Sequence, residues 1–279
     1  MKIIISTEST CDLSPELIKE NDIRVIPFTV LLGEDVGYDG EITPQIIFDY
    51  VEKTGILPKT SAINEFTYNE YFSNLRKECD AVIHISLSSQ LSCSYDNARK
   101  AASTLDNVYV IDSKNLSTGI GLQVLYACSL REKGLKAIDI VKSVEERRSN
   151  VQASFVVHTL SYLHKGGRCS GASRFLGGIL RIKPQIIVNP EGKMEPSKKF
   201  IGRGVPVVKA YCEQVLANNP DPDKSLVFVT HSFATPEMVE AAKEVLRENG
   251  FSNIVETTAG ATITSHCGPK TLGILFYNN

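Results

Sequence analysis

The sequence predicts an α/β protein of two domains, the first built on a mostly parallel sheet flanked by helices and the second on a mixed α/β sheet. Three observations carry that expectation. Apolar runs rich in β-branched residues alternate with stretches of helical period through the first half of the chain. Helix starts are marked by hydroxyl residues set directly before prolines. Finally, 279 residues, 42% of them hydrophobic, exceed what a single core usually serves.

Taken in order, Lys2 to Ser6 reads as a strand, Pro15 to Asn21 as a helix, Ile23 to Leu32 as an extended run and Pro44 to Thr54 as a helix. Ser14-Pro15 and Thr43-Pro44 fix both helix starts. In each, the hydroxyl accepts a first-turn amide, and the proline's missing N–H costs nothing at the first helical position. Asp80 to Leu87 and Asn107 to Ser113 read as strands, with helices from about Ser92 to Leu105 and from Ser117 to Lys133. Between Leu135 and Asn150, Ile138, Val141 and Val144 form one apolar stripe opposite charged residues, a surface helix that ends the first domain. The boundary is set near residue 152, giving domains 1–152 and 153–279. Beyond it the rhythm turns toward antiparallel pairing. Ala153 to Thr159 is apolar, a helix is expected from Ser170 to Arg181, and Pro190-Glu191-Gly192 folds Lys183 to Phe200 into a hairpin. Leu226 to Ser232, Asn253 to Thr258 and Thr271 to Tyr277 supply strands, and Pro236 to Asn249 a helix capped by Gly250.

Composition removes several classes of function. Thirty basic and 32 acidic residues are interspersed at a net charge of −2, so nucleic acid is not an expected partner. The start MKIIISTEST is too short an apolar run for a signal peptide, and no stretch of eighteen apolar residues follows, so the expected location is cytoplasmic. Seven scattered cysteines without CxxC spacing argue against a disulfide framework and a zinc site, and read mostly as buried small hydrophobes. HExxH, GxSxG and GxxxxGK[ST] are absent, and Gly119-Ile120-Gly121 lacks the third glycine of a dinucleotide loop.

What remains is a set of hydroxyl-rich loops after strands: Ser6 to Thr10, Lys59-Thr60-Ser61, Ser86 to Ser92 and Asp112-Ser113. Ligands of open parallel sheets bind beyond the carboxyl ends of the strands, where these loops fall. Hydroxyls and helix N-termini there suit a carboxylate or phosphate, although serines and threonines also serve simply as helix caps. His266 is placed in a loop beside Gly268-Pro269, His84 mid-strand, and His231 at a strand end; none of the five histidines sits at metal-ligand spacing. Lys165-Gly166-Gly167-Arg168 reads either as an anion cradle or as a solvated turn.

These residues together resemble the DegV family. Thr7-Glu8-Ser9-Thr10-Cys11-Asp12-Leu13 is similar to its T-D-S-x-x-D-L, Pro58-Lys59-Thr60-Ser61 to P-T-T-S, and Leu163-His164-Lys165-Gly166-Gly167-Arg168 to L-x-K-G-G-R. Ser88 to Tyr95 resembles S-S-G-L-S-G-T-Y, with Gln90 and Cys93 standing at the two glycines. Arg181-Ile182-Lys183-Pro184 and His266-Cys267-Gly268-Pro269 complete the series in order.

The resemblance implies two α/β domains with a long-chain fatty acid such as palmitate between them, its carboxylate near the mouth and its chain in an apolar tunnel. Thr60 and Ser92 would contact the carboxylate, with His266 nearby and Ser61 and Ser89 as further hydroxyls; Arg168 would flank the opening. A separate fatty acid kinase would receive the bound acid and make acyl phosphate for phospholipid synthesis. No cofactor, metal or catalytic base is implied, and membrane contact would be transient. Burying a methylene contributes roughly 0.8 kcal/mol, so about fifteen give on the order of 10 kcal/mol before association costs. The alternative is a hydrolase or transferase acting on a small anion, with Cys93 or Ser92 as nucleophile and His266 as base.

Overall fold

Ile3, Ile4 and Ile5 are consecutive and all buried, which a strand permits only when both faces of its sheet are covered. They begin β1 (Ile3–Glu8), the second strand of a four-stranded sheet in this computed structural model, which describes residues 1–169, 171 and 182–279. The first half continues α1 (Pro15–Glu20), β2 (Ile23–Ile26), β3 (Thr29–Leu32), β4 (Asp35–Tyr38), α2 (Pro44–Thr54), β5 (Lys59–Ser61) and α3 (Glu65–Arg76). It closes with β6 (Ala81–Ser86), α4 (Ser94–Ala102), β7 (Val108–Asp112), α5 (Thr118–Glu132) and α6 (Ala137–Arg147). Strands β2-β1-β6-β7 pair in parallel throughout. As the sequence indicated, Ser14 Oγ accepts from Leu17 N and Thr43 Oγ1 from Ile46 N at the starts of α1 and α2.

The run from Ile23 to Leu32 is two strands, not one. Pro27 offers no N–H to a ladder, and the chain leaves the parallel sheet there. Beyond Pro27, β3 pairs antiparallel with β4 and β5 in a separate three-stranded sheet. Lys59-Thr60-Ser61 is therefore a strand rather than a loop.

The second half comprises β8 (Val151–Val156), α7 (Ser161–Gly166), β9 (Ile182–Val188), β10 (Met194–Ile201), α8 (Val205–Asn218), β11 (Pro222–Ser232), α9 (Pro236–Glu248), β12 (Ile254–Thr258), α10 (Ala261–Cys267) and β13 (Thr271–Asn278). Its sheet runs β10-β9-β8-β13-β11-β12, antiparallel except for the β11–β12 pair. The expected hairpin over Lys183 to Phe200 is β9–β10. The helix expected from Ser170 to Arg181 lies, apart from Gly171, outside the described residues. Residue 152 falls at the second position of β8, and the largest apolar cluster runs across it, joining Ile3–Ile5 to Ala153, Phe155 and Leu275.

The hairpin turn locks the two sheets together. Gly192 takes φ +89°, and its carbonyl accepts from the buried Ser88 Oγ at 2.8 Å. A Cβ at Gly192 would stand 2.2 Å from Ser88 Oγ and 2.9 Å from Lys114 Cα, so only glycine lets the turn seat against the β6–α4 loop.

Candidate functional site

The site rests on a buried polar network at the carboxyl ends of β1 and β6. Glu8 Oε1 accepts from Ser86 Oγ at 2.6 Å and Tyr68 Oη at 2.7 Å, and lies 3.1 Å from His84 Nε2. Its Oε2 accepts from Leu87 N at 2.8 Å, while His84 Nδ1 meets Ser6 Oγ at 2.9 Å. Burial pushes the Glu8 carboxyl up, but His84 and the hydroxyl donors outweigh it and hold the group below its usual range. His84 is thus a core residue, as its mid-strand position suggested, and the network fixes the loop that begins at Leu87. Gln90 is absent from the positive-φ residues and Cys93 has φ −79°, so this loop does not require glycine at either position.

Above that loop lies a cavity with about 840 Å³ of empty space, part of it open to solvent. All three sheets contribute to its wall. Leu87, Leu91 and Leu116 come from the parallel sheet's loops, Phe155, Met194 and Leu275 from the six-stranded sheet, and Phe28 and Thr60 from the chain around the small sheet. The polar groups gather chiefly from β5, the β6–α4 loop, β11 and α10.

Thr60 Oγ1 lies 2.8 Å from His266 Nε2, a pair 206 residues apart in sequence. Ser92, which also lines the cavity, bonds Ser94 Oγ at 3.2 Å. Arg168 lines the cavity as an exposed residue, its Nη1 donating to Gly166 O at 2.7 Å. Burial, then the nearby Arg168 charge, lowers His266 to about 4, so the ring is neutral near pH 7. A Cβ on Gly166 would come within 2.6 Å of His266 Nδ1, which itself has no hydrogen-bond partner among the described residues.

His266 corrects one expectation: it sits in α10, not in a loop. That helix, ATITSHC, is poor in helix formers, and two distant carboxyl groups hold its start. Asp39 Oδ1 accepts from Ala261 N at 2.7 Å and Oδ2 from Thr262 N at 3.1 Å, while Asp12 Oδ1 accepts from Gly260 N at 2.8 Å. Asp12 also accepts from Ser117 Oγ at 2.5 Å, and burial raises its carboxyl to about 8. The family-like motif from Thr7 to Leu13 thereby acquires physical roles: Glu8 sets one wall of the cavity and Asp12 anchors the helix that carries His266.

Thr60, Ser92, His266 and Arg168 are brought to one cavity. Ser61 and Ser89 do not line it. Strand alternation turns Ser61 outward beside the inward Thr60, and Ser89 Oγ donates to Asp112 Oδ2 at 2.7 Å. Cys93 is exposed and outside the cavity wall, and His266 Nε2 is engaged by Thr60 rather than by Ser92 or Cys93. Sequence reasoning missed Thr262, which lines the cavity and whose buried Oγ1 has no hydrogen-bond partner among the described residues, because a lone threonine in an unrecognised helix carries no signal. Among the described residues no cluster of His, Cys, Asp and Glu could hold a metal, and no helix is long and apolar enough to cross a membrane.

The fold and cavity define a class: α/β proteins in which a parallel and a mixed sheet share an apolar cavity tipped with hydroxyls. The chain belongs to the DegV family, whose family model matches residues 2–279. A DegV domain-containing protein of Clostridium perfringens is 32% identical over 284 residues, covering 99% of this chain and 98% of the relative. A fatty-acid-binding DegV family protein of Thermus thermophilus superposes with TM-score 0.88 at 29% identity, covering 100% of both chains. DegV of Bacillus subtilis, described as a fatty acid binding protein, gives TM-score 0.86 at 27% identity, also over 100% of both.

Proposed function

We propose that this chain binds a long-chain fatty acid in the cavity, between an N-terminal unit of residues 1–152 and a C-terminal unit of 153–279. The carboxylate sits at Thr60, Ser92 and His266, with Arg168 at the mouth and the acyl chain along Phe28, Leu116, Phe155 and Leu275. The observation that carries the reading is the Thr60–His266 hydrogen bond in the wall of a cavity whose exposed surface is mostly apolar. A neutral His266 can donate Nε2–H to Thr60 Oγ1, which leaves the Thr60 hydroxyl proton free for a carboxylate. Ser61 and Ser89 stay outside the head-group contacts in this reading, since neither lines the cavity. Likeness to fatty-acid-binding relatives supports the assignment.

In the same proposal the chain acts in the cytoplasm as a non-catalytic carrier. It has no cofactor, and it presents the bound acid to a separate fatty acid kinase that makes acyl phosphate for phospholipid synthesis. Arg168, exposed and lining the cavity, is the side on which the head group would be offered.

Native mass spectrometry of delipidated protein incubated with palmitate tests the binding step. One palmitate per chain is expected, and Thr60→Val, which removes the hydroxyl at constant shape, should weaken retention about tenfold. Failure of the unmodified protein to take up palmitate would sink the reading. Transfer is tested by adding a fatty acid kinase with ATP and following acyl phosphate; acyl phosphate formed from ATP without the kinase would instead indicate that the chain is itself an enzyme.

A further inference from the structure

On the opposite face of the six-stranded sheet lies a second cleft, with about 1550 Å³ of empty space that includes open solvent. Alternation along β8 separates the two: Phe155 lines the first cavity and Val156 the second. Three cations converge on this cleft. Lys183 extends from β9 and is only 7% exposed, Arg203 lies in the turn before α8, and Lys270 precedes β13. Lys183 Nζ donates to His158 O at 2.8 Å. None of the three has a carboxylate within ion-pair distance among the described residues.

The cations are close enough to feel one another. After burial, the charges of Arg203 and Lys270 lower the Lys183 ammonium, and Lys183, Lys270 and Arg203 lower His158. The cleft's carboxylate, Glu237, is bonded by the Thr235 side chain at the start of its own helix. The fourteen-residue α8 also begins here, at Gly204 with φ 59°, and has no side-chain N-cap. Its positive end therefore adds to the same field. A partly buried ammonium whose partner among the described residues is one carbonyl, beside two further cations, is costly unless an anion completes it.

We propose that this cleft is a second ligand site that takes a phosphate group. A carboxylate would leave most of the positive charge uncompensated. A phosphate dianion offers several acceptor oxygens to Lys183, Arg203, Lys270 and the α8 terminus together. The site is independent of the fatty-acid reading, because it shares no lining residue with the first cavity.

Isothermal titration of the full chain with inorganic phosphate in low-chloride buffer tests the proposal. Saturable binding is expected, weakened about tenfold by Arg203→Gln and again by Lys270→Gln, with palmitate uptake unchanged in both. Lys224→Gln, an exposed site elsewhere, should leave the affinity as it was. Absence of saturable binding overturns the proposal, as does affinity indifferent to Arg203 and Lys270. Loss of phosphate binding in Arg168→Gln alone would move the anion to the first cavity and overturn it equally. Should only a polyanionic peptide bind, and phosphate not, the cleft is a protein-docking surface instead.

Discussion

His266 shows how burial converts a titratable ring into a hydrogen-bonding device. Its folded value of about 4 lies below the ordinary 6.5, so between those values the unfolded chain binds the proton and the folded chain does not. The contribution to stability is complete above pH 6.5 and is lost as pH falls toward 4, amounting to at most about 3 kcal/mol. Urea midpoints of the unmodified protein should therefore fall more steeply from pH 7 to 4.5 than those of His266→Asn. Parallel slopes would show that the ring titrates normally. The convergence of Thr60, Ser92 and His266 on one cavity was legible in motif resemblance and residue type. Their geometry was not, because a 206-residue separation hides the Thr60–His266 pairing and because strand alternation alone decides that Thr60 faces the cavity while Ser61 does not.

Helix α10 brings Thr262, Ile263, His266 and Cys267 to the cavity, yet its own sequence gives it little reason to be helical. It was illegible for that reason, since Asp12 and Asp39, which satisfy its first amides, lie more than 220 residues earlier. The parallel strands, by contrast, were legible because burial on both faces writes them as continuous apolar runs, such as Ile3–Ile5 and Ala81–Ile83. Asp39→Ala strips the acceptor from two helix amides and from Ser9 Oγ and should cost about 2 kcal/mol of stability. Because the helix start then loosens, palmitate retention should drop in the same variant, whereas Asp39→Asn, which keeps one acceptor oxygen, should recover part of both. Loss of stability with unchanged retention would show that the carboxylate caps the helix without positioning the site.

Across the whole chain, the cavity is built from the same surfaces that hold the halves together. One apolar cluster joins Ile3–Ile5 to Phe155 and Leu275, the Gly192 turn seats on Ser88, and Arg147 reaches from α6 to Asp223 at 2.7 Å while packing 4.1 Å from the Tyr277 ring centre. An acyl chain in the cavity would touch Leu116 from one sheet's loops and Phe155 and Leu275 from the other sheet, so its binding energy would add to the cohesion of both. A ligand at a hundred times its dissociation constant stabilises the folded state by about 2.7 kcal/mol. For a chain of this size that corresponds to a rise in Tm of roughly 5 °C or more. Scanning calorimetry of delipidated and palmitate-loaded protein should show one transition moving upward as a unit, and removing the lipid should reverse it. Two transitions of which only one moves would mean that the ligand contacts a single sheet, and a Tm indifferent to palmitate would mean that the shared cavity is not where the lipid binds.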